Sequence, residues 1–486
     1  MALLKKVHSD WAPQEKPNLQ VGEVFDFPGP FEALVRQGMA VLVDEAGNEM
    51  ELPGQLFECP VCFEKIEGLK AFNGHIAAHT PSAVAPVEAE APAEAPAAEE
   101  KPVEEAPVEA APEAAPAEAP TEEPIPEAPK SADELDVAME APAKKRIKNK
   151  KNMKILVTGA AGFMGSHLAE YLAGEGHDVV GIDNLSIGRI ENVPASIVFQ
   201  KLDLTNPIDT KLLCEREKFE LVYHLAAWAH EGLSQFTPRL ITENNYNAFL
   251  NVLIPAVNNG LKRIIVTSSM SVYGDQTPPF HEELSRKPVD IYGVAKTAME
   301  ESLEILADVH GFEYTILRPH NVYGPRQALW DPYRNVVGIF INRAMKGLPP
   351  IIYGDGEQTR AFSYIDDVNP YIATAGLLNG TNKEIINIGP RQEYTVNELA
   401  QTVLDAFNLI VKPEYVTDRA REVKHAFCTS EKAEKLLGYH TTTDLKTGVG
   451  RMVEWAKLLG PQEFQYLEEI ELAGEKVPRT WREKIM

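Results

Sequence analysis

From Met153 onward, short apolar runs alternate with amphipathic stretches. Ile155-Leu156-Val157, Leu221-Val222-Tyr223 and Ile264-Ile265-Val266 are continuous runs, the pattern of strands covered on both faces. Strands are predicted at 154–158, 178–183, 197–199, 221–225, 263–267 and 314–317. Helices are predicted between them, notably at 163–173, 244–259 and 292–310. Such alternation implies an α/β fold, a doubly wound parallel sheet with helices on both faces. Beyond Pro319 the alternation loosens, and residues from about 320 are expected to form a smaller covering lobe.

The chain before Met153 follows other rules. Ala40-Val41-Leu42-Val43 and Met50-Glu51-Leu52 flank Gly47-Asn48, which predicts a β-hairpin within a small module over 1–56. Over 57–79, Cys59, Cys62, His75 and His79 stand in the C-x2-C-x12-H-x3-H spacing of a tetrahedral zinc site. Phe57, Ile66 and Phe72 fall where a ββα finger puts its core. Such a segment folds only with metal, so Zn2+ is expected here. The base-reading positions would be Gly68, Ala71 and Gly74, none able to donate a bidentate bond. This argues against sequence-specific DNA binding and for a structural or protein-docking finger. Residues 80–152 are expected to be a disordered tether, because repeated prolines forbid a helix and repeated glutamates repel. The tether ends in the basic run Lys144–Lys151, read as a solvated charge run in preference to a localisation or anion-binding patch.

Charge changes the picture little. Of the net −25, residues 81–143 supply −15, from 17 Asp/Glu against 2 Lys. The remainder is only mildly acidic, so a general affinity for nucleic acid is not indicated. The 4 cysteines include the Cys59–Cys62 pair and two isolated residues, Cys214 and Cys428, which is no disulfide framework. No signal peptide is evident and no run reaches the ~18 apolar residues of a membrane span. The expectation is a soluble cytoplasmic protein.

The chemistry is concentrated at strand ends. Gly159, Gly162 and Gly165 follow the first predicted strand and open a helix. Gly159 permits a tight turn, Gly162 lets backbone approach a pyrophosphate, and Gly165 allows close packing. Asp183 ends the second strand, where a carboxylate can accept from ribose hydroxyls and repel a 2′-phosphate. NAD is therefore expected over NADP, with Arg189 nearby as the contrary signal. Tyr292 and Lys296 lie four apart at the start of a helix, hence on one face. A neighbouring ammonium, together with a bound nicotinamide cation, would favour phenolate, which would make Tyr292 a general base. Ser269, ending a central strand, can orient the same hydroxyl.

These pieces resemble the extended short-chain dehydrogenase/reductase family, specifically its nucleotide-sugar epimerases and dehydratases. The resemblance covers Met153 to about Gly460. It rests on Thr158–Gly165, Asp183–Ser186, His224–Ala227, Ser268–Gly274, Tyr292 with Lys296, Arg318–Arg326 and Gln358–Asp367. It implies a Rossmann domain over 153–486 with NAD in the first lobe and a nucleoside-diphosphate sugar under the second. Cofactor contacts would be Gly159, Gly162, Phe163, Met164, Gly165, Asp183, Asn184, Asp203, Leu204, Leu225, Ala226, Ala227, Tyr292 and Lys296. Substrate contacts would be Ser269, Asn321, Tyr353, Arg360 and Arg419. Met270 and Ser271 stand where dehydratases carry an Asp-Glu pair and decarboxylases a Glu, so elimination lacks its carboxylate. The Ser-Ser-x-Ser-Val-Tyr-Gly run is most similar to a 4-epimerase, and the resemblance implies a UDP-sugar as its substrate. Ala227-Trp228-Ala229-His230 departs from the polar or basic residue that several epimerases carry there. A reductase or dehydratase of the same family, or a scaffold whose enzyme lobe no longer turns over, are the alternatives. Apolar residues on more than one face of the 244–254 and 292–310 helices imply a homodimer.

Overall fold

A computed structural model describes residues 152–334, 336–419 and 421–486, together with the backbone of six short strands that precede them. The chain divides into two compact units, Met1–Lys130 and Ser131–Met486. In the first unit, strands Val24–Phe27, Ala2–Lys6, Ala40–Val43 and Glu49–Met50 form an antiparallel sheet in that order. The hairpin expected around Gly47 is the pairing of Val43 with Glu49 and Leu42 with Met50. Leu56–Glu58 pairs antiparallel with Lys65–Glu67, placing Phe57 opposite Ile66. Cys59, Cys62, His75 and His79, the tether from 80 and the basic run lie outside the described residues.

The second unit is built on seven parallel strands: β1 Lys154–Thr158, β2 Asp178–Asp183, β3 Val198–Lys201, β4 Leu221–His224, β5 Arg263–Thr267, β6 Glu313–Pro319 and β7 Glu384–Ile388. Their order is β7-β6-β5-β4-β1-β2-β3. The strand order reverses direction between β1 and β4, the position where such sheets open a ligand crevice. Every residue of β4 and β5 is buried, which is why their sequences run apolar without alternation.

Successive side chains serve opposite faces. Leu156, Val222, Ile264 and Val266 pack with helices α2 (Pro207–Glu217), α3 (Ala248–Asn258) and α4 (Ile291–His310). Ile155, Val157, Tyr223 and Ile265 pack on the other face with α1 (Phe163–Gly174) and the helix Asn369–Leu377. A separate core joins Phe340, Phe362, Leu399, Val403, Val449 and Met452 in the covering lobe. Two details differ from the expectation. The predicted helix 244–259 begins as a π turn, Glu243–Asn247, before becoming α-helical. The seventh strand was not foreseen, because the chain reaches it only after the excursion 320–383.

Buried charges tie α4 to the sheet. Glu300, fully buried, accepts from Nε and Nη2 of Arg318 at 2.9 and 2.5 Å and from Nε of Arg286 at 2.6 Å. Removing one member of a buried ion pair strands the other, at a cost of roughly 3–5 kcal/mol. Glu300→Ala is therefore expected to lower the unfolding free energy by about that amount in urea denaturation. A loss below ~1 kcal/mol would show that the network is not under this constraint.

Candidate active site

Two adjoining cavities open over the sheet, and Arg334 lines both. The first is the dinucleotide crevice at the strand-order reversal. It is lined by Gly159, Gly162, Phe163, Met164, Gly165, Asp183, Asn184, Asp203, Leu204, Leu225, Ala226 and Ala227, all expected cofactor contacts. Gly159 adopts φ +72°, and a Cβ there would lie 3.0 Å from the Ala226 nitrogen. A Cβ on Gly165 would fall 2.0 Å from the Gly159 carbonyl oxygen. Gly162 caps α1 without a side chain, so the first-turn N–H groups of this twelve-residue helix face the cavity as an anion site.

Acidic groups are already oriented at the strand ends. Asp183 accepts from the backbone N–H of Ala161 and Leu185 at 3.1 and 2.8 Å, and burial pushes its carboxyl up. Asp203 accepts from Thr205 N–H and Oγ1 at 2.9 and 2.8 Å. Burial opposes its charge, yet these bonds hold it below the usual carboxylate range. Arg189 is turned away, its guanidinium 3.4 Å from the Trp330 ring centroid, and it does not line the crevice. The residues present thus fit a dinucleotide with free ribose hydroxyls.

Ser269, Tyr292 and Lys296 come together, but they line neither cavity; they are 7%, 4% and 2% exposed. Asp290 accepts from the Gly293 N–H at 2.7 Å and starts α4, which brings Tyr292 and Lys296 onto one buried face. The Lys296 ammonium donates to the Thr267 carbonyl at 2.8 Å and sits 5.7 Å from the Tyr292 ring centroid. Ser269 hydrogen-bonds the Tyr292 phenol. Trp228, a crevice residue, packs against Tyr292.

The electrostatics correct one expectation. Burial and the Glu231 carboxylate push the Tyr292 phenol up, while Arg334 and Ser269 pull it down. The phenolate expected from Lys296 together with a nicotinamide cation is thus not favoured by the chain's own groups alone, because desolvation outweighs Arg334 and Ser269. Burial also pushes Lys296 down to about 8, with Glu300 opposing and Arg334 adding. Asp290 is raised to about 7 by burial, and Glu231 adds to it.

The second cavity is lined by Ser271, Asn321, Tyr353, Arg360 and Arg419 among others. Glu422 joins the two arginines: Arg360 Nη2 donates to one oxygen at 3.0 Å and Arg419 Nε to the other at 2.9 Å. Burial raises Glu422, but both guanidiniums hold it low. Arg360 also donates to the carbonyls of Thr359, Val423 and Lys424, so much of it is structural. The Arg419 guanidinium stacks 4.7 Å from the Tyr353 centroid, and the Tyr353 hydroxyl bonds Thr480. Asn321, at φ +22°, donates to the Ala361 carbonyl at 3.0 Å.

Several cavity residues were not anticipated. Glu231 stands one residue beyond the noted departure at His230, and Ser271 Oγ donates to its Oε1 at 3.3 Å. A carboxylate is therefore present beside Ser271, supplied by another loop, where the local sequence shows none. Arg334 and the C-terminal Trp481 and Met486 are likewise cavity residues without a local motif. Among the described residues no group of three or more His, Cys, Asp or Glu is placed to hold a metal, and no helix is long and apolar enough to cross a membrane.

Fold and crevice define a dinucleotide-binding α/β enzyme. Residues 155–389 match the NAD dependent epimerase/dehydratase family. The UDP-glucose 4-epimerase of Mycolicibacterium smegmatis is 32% identical over 315 residues, 62% of this chain and 98% of that protein. The UDP-glucuronate 4-epimerase of Thermodesulfobacterium geofontis is 30% identical over 315 residues, 62% of this chain and 95% of that protein. The crystal structure of Thermotoga maritima UDP-glucose 4-epimerase with UDP-glucose superposes with a TM-score of 0.59, at 33% identity, over 63% of this chain and 99% of that chain. The chain belongs to the NAD-dependent epimerase/dehydratase family.

The depressed Lys296 ammonium has a thermodynamic signature. Its folded value of about 8 lies below the ordinary 10.5, so between these pH values the unfolded chain binds the extra proton. Folding stability from this group therefore rises as pH rises through that window. The stability of the natural chain relative to Lys296→Met is expected to increase between pH 8 and 10.5 in urea titrations. A pH-independent difference would refute it.

Proposed function

We propose that the chain is an NAD-dependent nucleotide-sugar 4-epimerase acting on a UDP-sugar. The observation that carries this reading is the buried group of Ser269, just past β5, with Tyr292 and Lys296 of α4, set beside a glycine-lined crevice and an arginine-bearing cavity. Gly159, Gly162, Phe163, Met164 and Gly165 would hold the pyrophosphate, Asp183 and Asn184 a ribose, and Asp203 and Leu204 the adenine. Leu225, Ala226 and Ala227 would flank the nicotinamide end with Tyr292 and Lys296. When bound, NAD supplies a reversible two-electron acceptor for the carbon whose configuration changes.

The chain's own groups handle the proton. Tyr292 takes it from the sugar 4-hydroxyl and returns it after the 4-keto ring has turned over. Ser269 holds that hydroxyl in line. Lys296, 5.7 Å from the ring centroid, and a cationic nicotinamide would together oppose the burial that keeps Tyr292 protonated. Arg360, Arg419 and Asn321 would take the diphosphate and sugar, and Tyr353 the nucleobase. A 4,6-elimination requires an acid and a base; Glu231 supplies one carboxylate, whereas Asp290 is committed to the N–H of Gly293. This favours epimerisation over dehydration.

Tyr292→Phe is expected to retain folding and NAD binding while lowering turnover by ~10²-fold or more. The check is interconversion of UDP-sugars followed by anomeric NMR, with NAD binding measured alongside. Retention of more than about a tenth of the activity would remove Tyr292 from the role of base.

The enzyme unit is proposed to act as a homodimer through α3 and α4. Ile254, Val294, Ile305 and Val309 are 54%, 48%, 64% and 71% exposed, so the covering lobe leaves this second apolar face open. A symmetric pairing would bury it against its own copy. Light scattering on a chain beginning near Lys151 is expected to give a dimer. An active monomer at micromolar concentration defeats the proposal.

Residues 57–79 are proposed to bind one zinc through Cys59, Cys62, His75 and His79 and to serve as a docking or structural finger for a protein partner of residues 1–79. Metal analysis is expected to give one zinc per chain, released by chelator without loss of epimerase activity. A peptide of this segment that gains no structure on zinc addition would overturn the assignment.

A further inference from the structure

Glu231 is a carboxylate in an unexpected place. It opens the short helix Glu231–Ser234 and lines the second cavity with Ser271, Asn321, Arg360 and Arg419. Its Oε1 accepts from Ser271 Oγ at 3.3 Å, and Ser271 Oγ in turn accepts from Ser269 Oγ at 3.1 Å. Ser269 bonds Tyr292, so two serine hydroxyls link Glu231 to the proposed base. Its position is fixed from beneath. His230, 1% exposed, bonds Asp331 at 2.7 Å, which clasps the two loops that carry Glu231 and Arg334. A Cβ on the next residue, Gly232, would lie 3.3 Å from both Arg419 Nη1 and Trp481, so the turn is pressed against the wall that holds the arginines.

The charge of Glu231 is felt by Arg360 and Arg419 across the cavity without contact between them. Among the described residues it takes part in no ion pair, whereas Arg360 and Arg419 are both bound to Glu422. Two further cations line the cavity: Arg421, and Arg334, which lines the dinucleotide crevice as well and is shared with that site. A carboxylate here works against the chemistry, because it raises both Tyr292 and Asp290. Its presence is accounted for by what it does to the ligand. A sugar entering the cavity displaces water and strengthens every charge interaction that remains. A hydroxyl or amine on the ring gains a charge-assisted hydrogen bond from Glu231. A ring carboxylate in the same place meets a like charge.

We propose that Glu231 is a specificity-determining residue that admits nucleotide sugars with neutral or amino ring substituents and excludes uronates. This rests on the nucleotide-sugar reading of the cavity and deepens it. The experiment is titration calorimetry of the full chain with UDP-glucose and UDP-glucuronate, for the natural sequence, Glu231→Gln and Glu231→Ala. The natural chain is expected to bind UDP-glucose at least ~10-fold more tightly, the order set by one like-charge contact in a partly dry cavity. Both variants are expected to narrow that ratio to about threefold or less. Equal or tighter binding of UDP-glucuronate by the natural chain overturns the proposal, as does an unchanged ratio in the variants or binding of neither sugar. Interconversion assayed on the same samples tests the epimerase reading separately: the expected ratio without turnover keeps the role of Glu231 and overturns the reaction.

Discussion

The buried ammonium of Lys296 is the constraint around which the enzyme unit is arranged. It donates to the carbonyl that ends β5, at 2.8 Å, and Glu300 one turn further on holds Arg318 of β6. Together these contacts fasten α4 across the ends of two central strands. The helix cannot slide or rotate without leaving a charge unpaired in the core, which costs several kcal/mol. Tyr292, on the same face, is thereby held beneath Ser269. Burying Lys296 opposes its charge and brings it down to about 8, and Glu300 offsets part of that penalty. Stability is exchanged here for a fixed relation between a phenol, a hydroxyl and an ammonium.

What was legible in the sequence is what local periodicity and turn chemistry encode. The first six strands, the glycine turn after β1, Asp183 at the end of β2 and the Tyr292–Lys296 spacing each follow from residues close in the chain. The expected crevice residues, Tyr292 and Lys296 excepted, do line one cavity, because the strand-order reversal brings the ends of β1, β2, β3 and β4 together. The misses have the opposite character. β7 has too short an apolar pattern to be told from loop once the chain has wandered through the covering lobe. Glu231 is adjacent to Ser271 only across the fold, forty residues apart in sequence. The direction of the Tyr292 shift depends on how dry the site is, which spacing does not report.

The arginines carried over from the family also divide on physical grounds. Arg419 keeps one face on Tyr353 and one edge on Glu422, so it retains donors toward the cavity it lines. Arg360 spends most of its donors on three backbone carbonyls and Glu422. Its contribution is as much to hold the loop bearing Glu422 and Val423 as to meet an anion. Neither distinction is visible in the residue types, since both are simply arginines near a predicted cavity.

The His230–Asp331 pair gives these pieces a common frame. Both members are buried, and the ring of His230 also packs edge-on against Trp228 and Tyr333. Trp228 covers Tyr292 from the crevice side, Glu231 enters the second cavity, and Arg334 reaches both. One clasp thus sets the positions of an aromatic cover, an anion and a cation around the same phenol. A buried hydrogen-bonded pair of this kind is expensive to break, because either partner left alone is a polar group without its bond, so it serves to hold loops in a single arrangement. In loops that local patterning leaves undefined, such a contact is what allows opposite charges to stand near Tyr292 without collapsing onto each other.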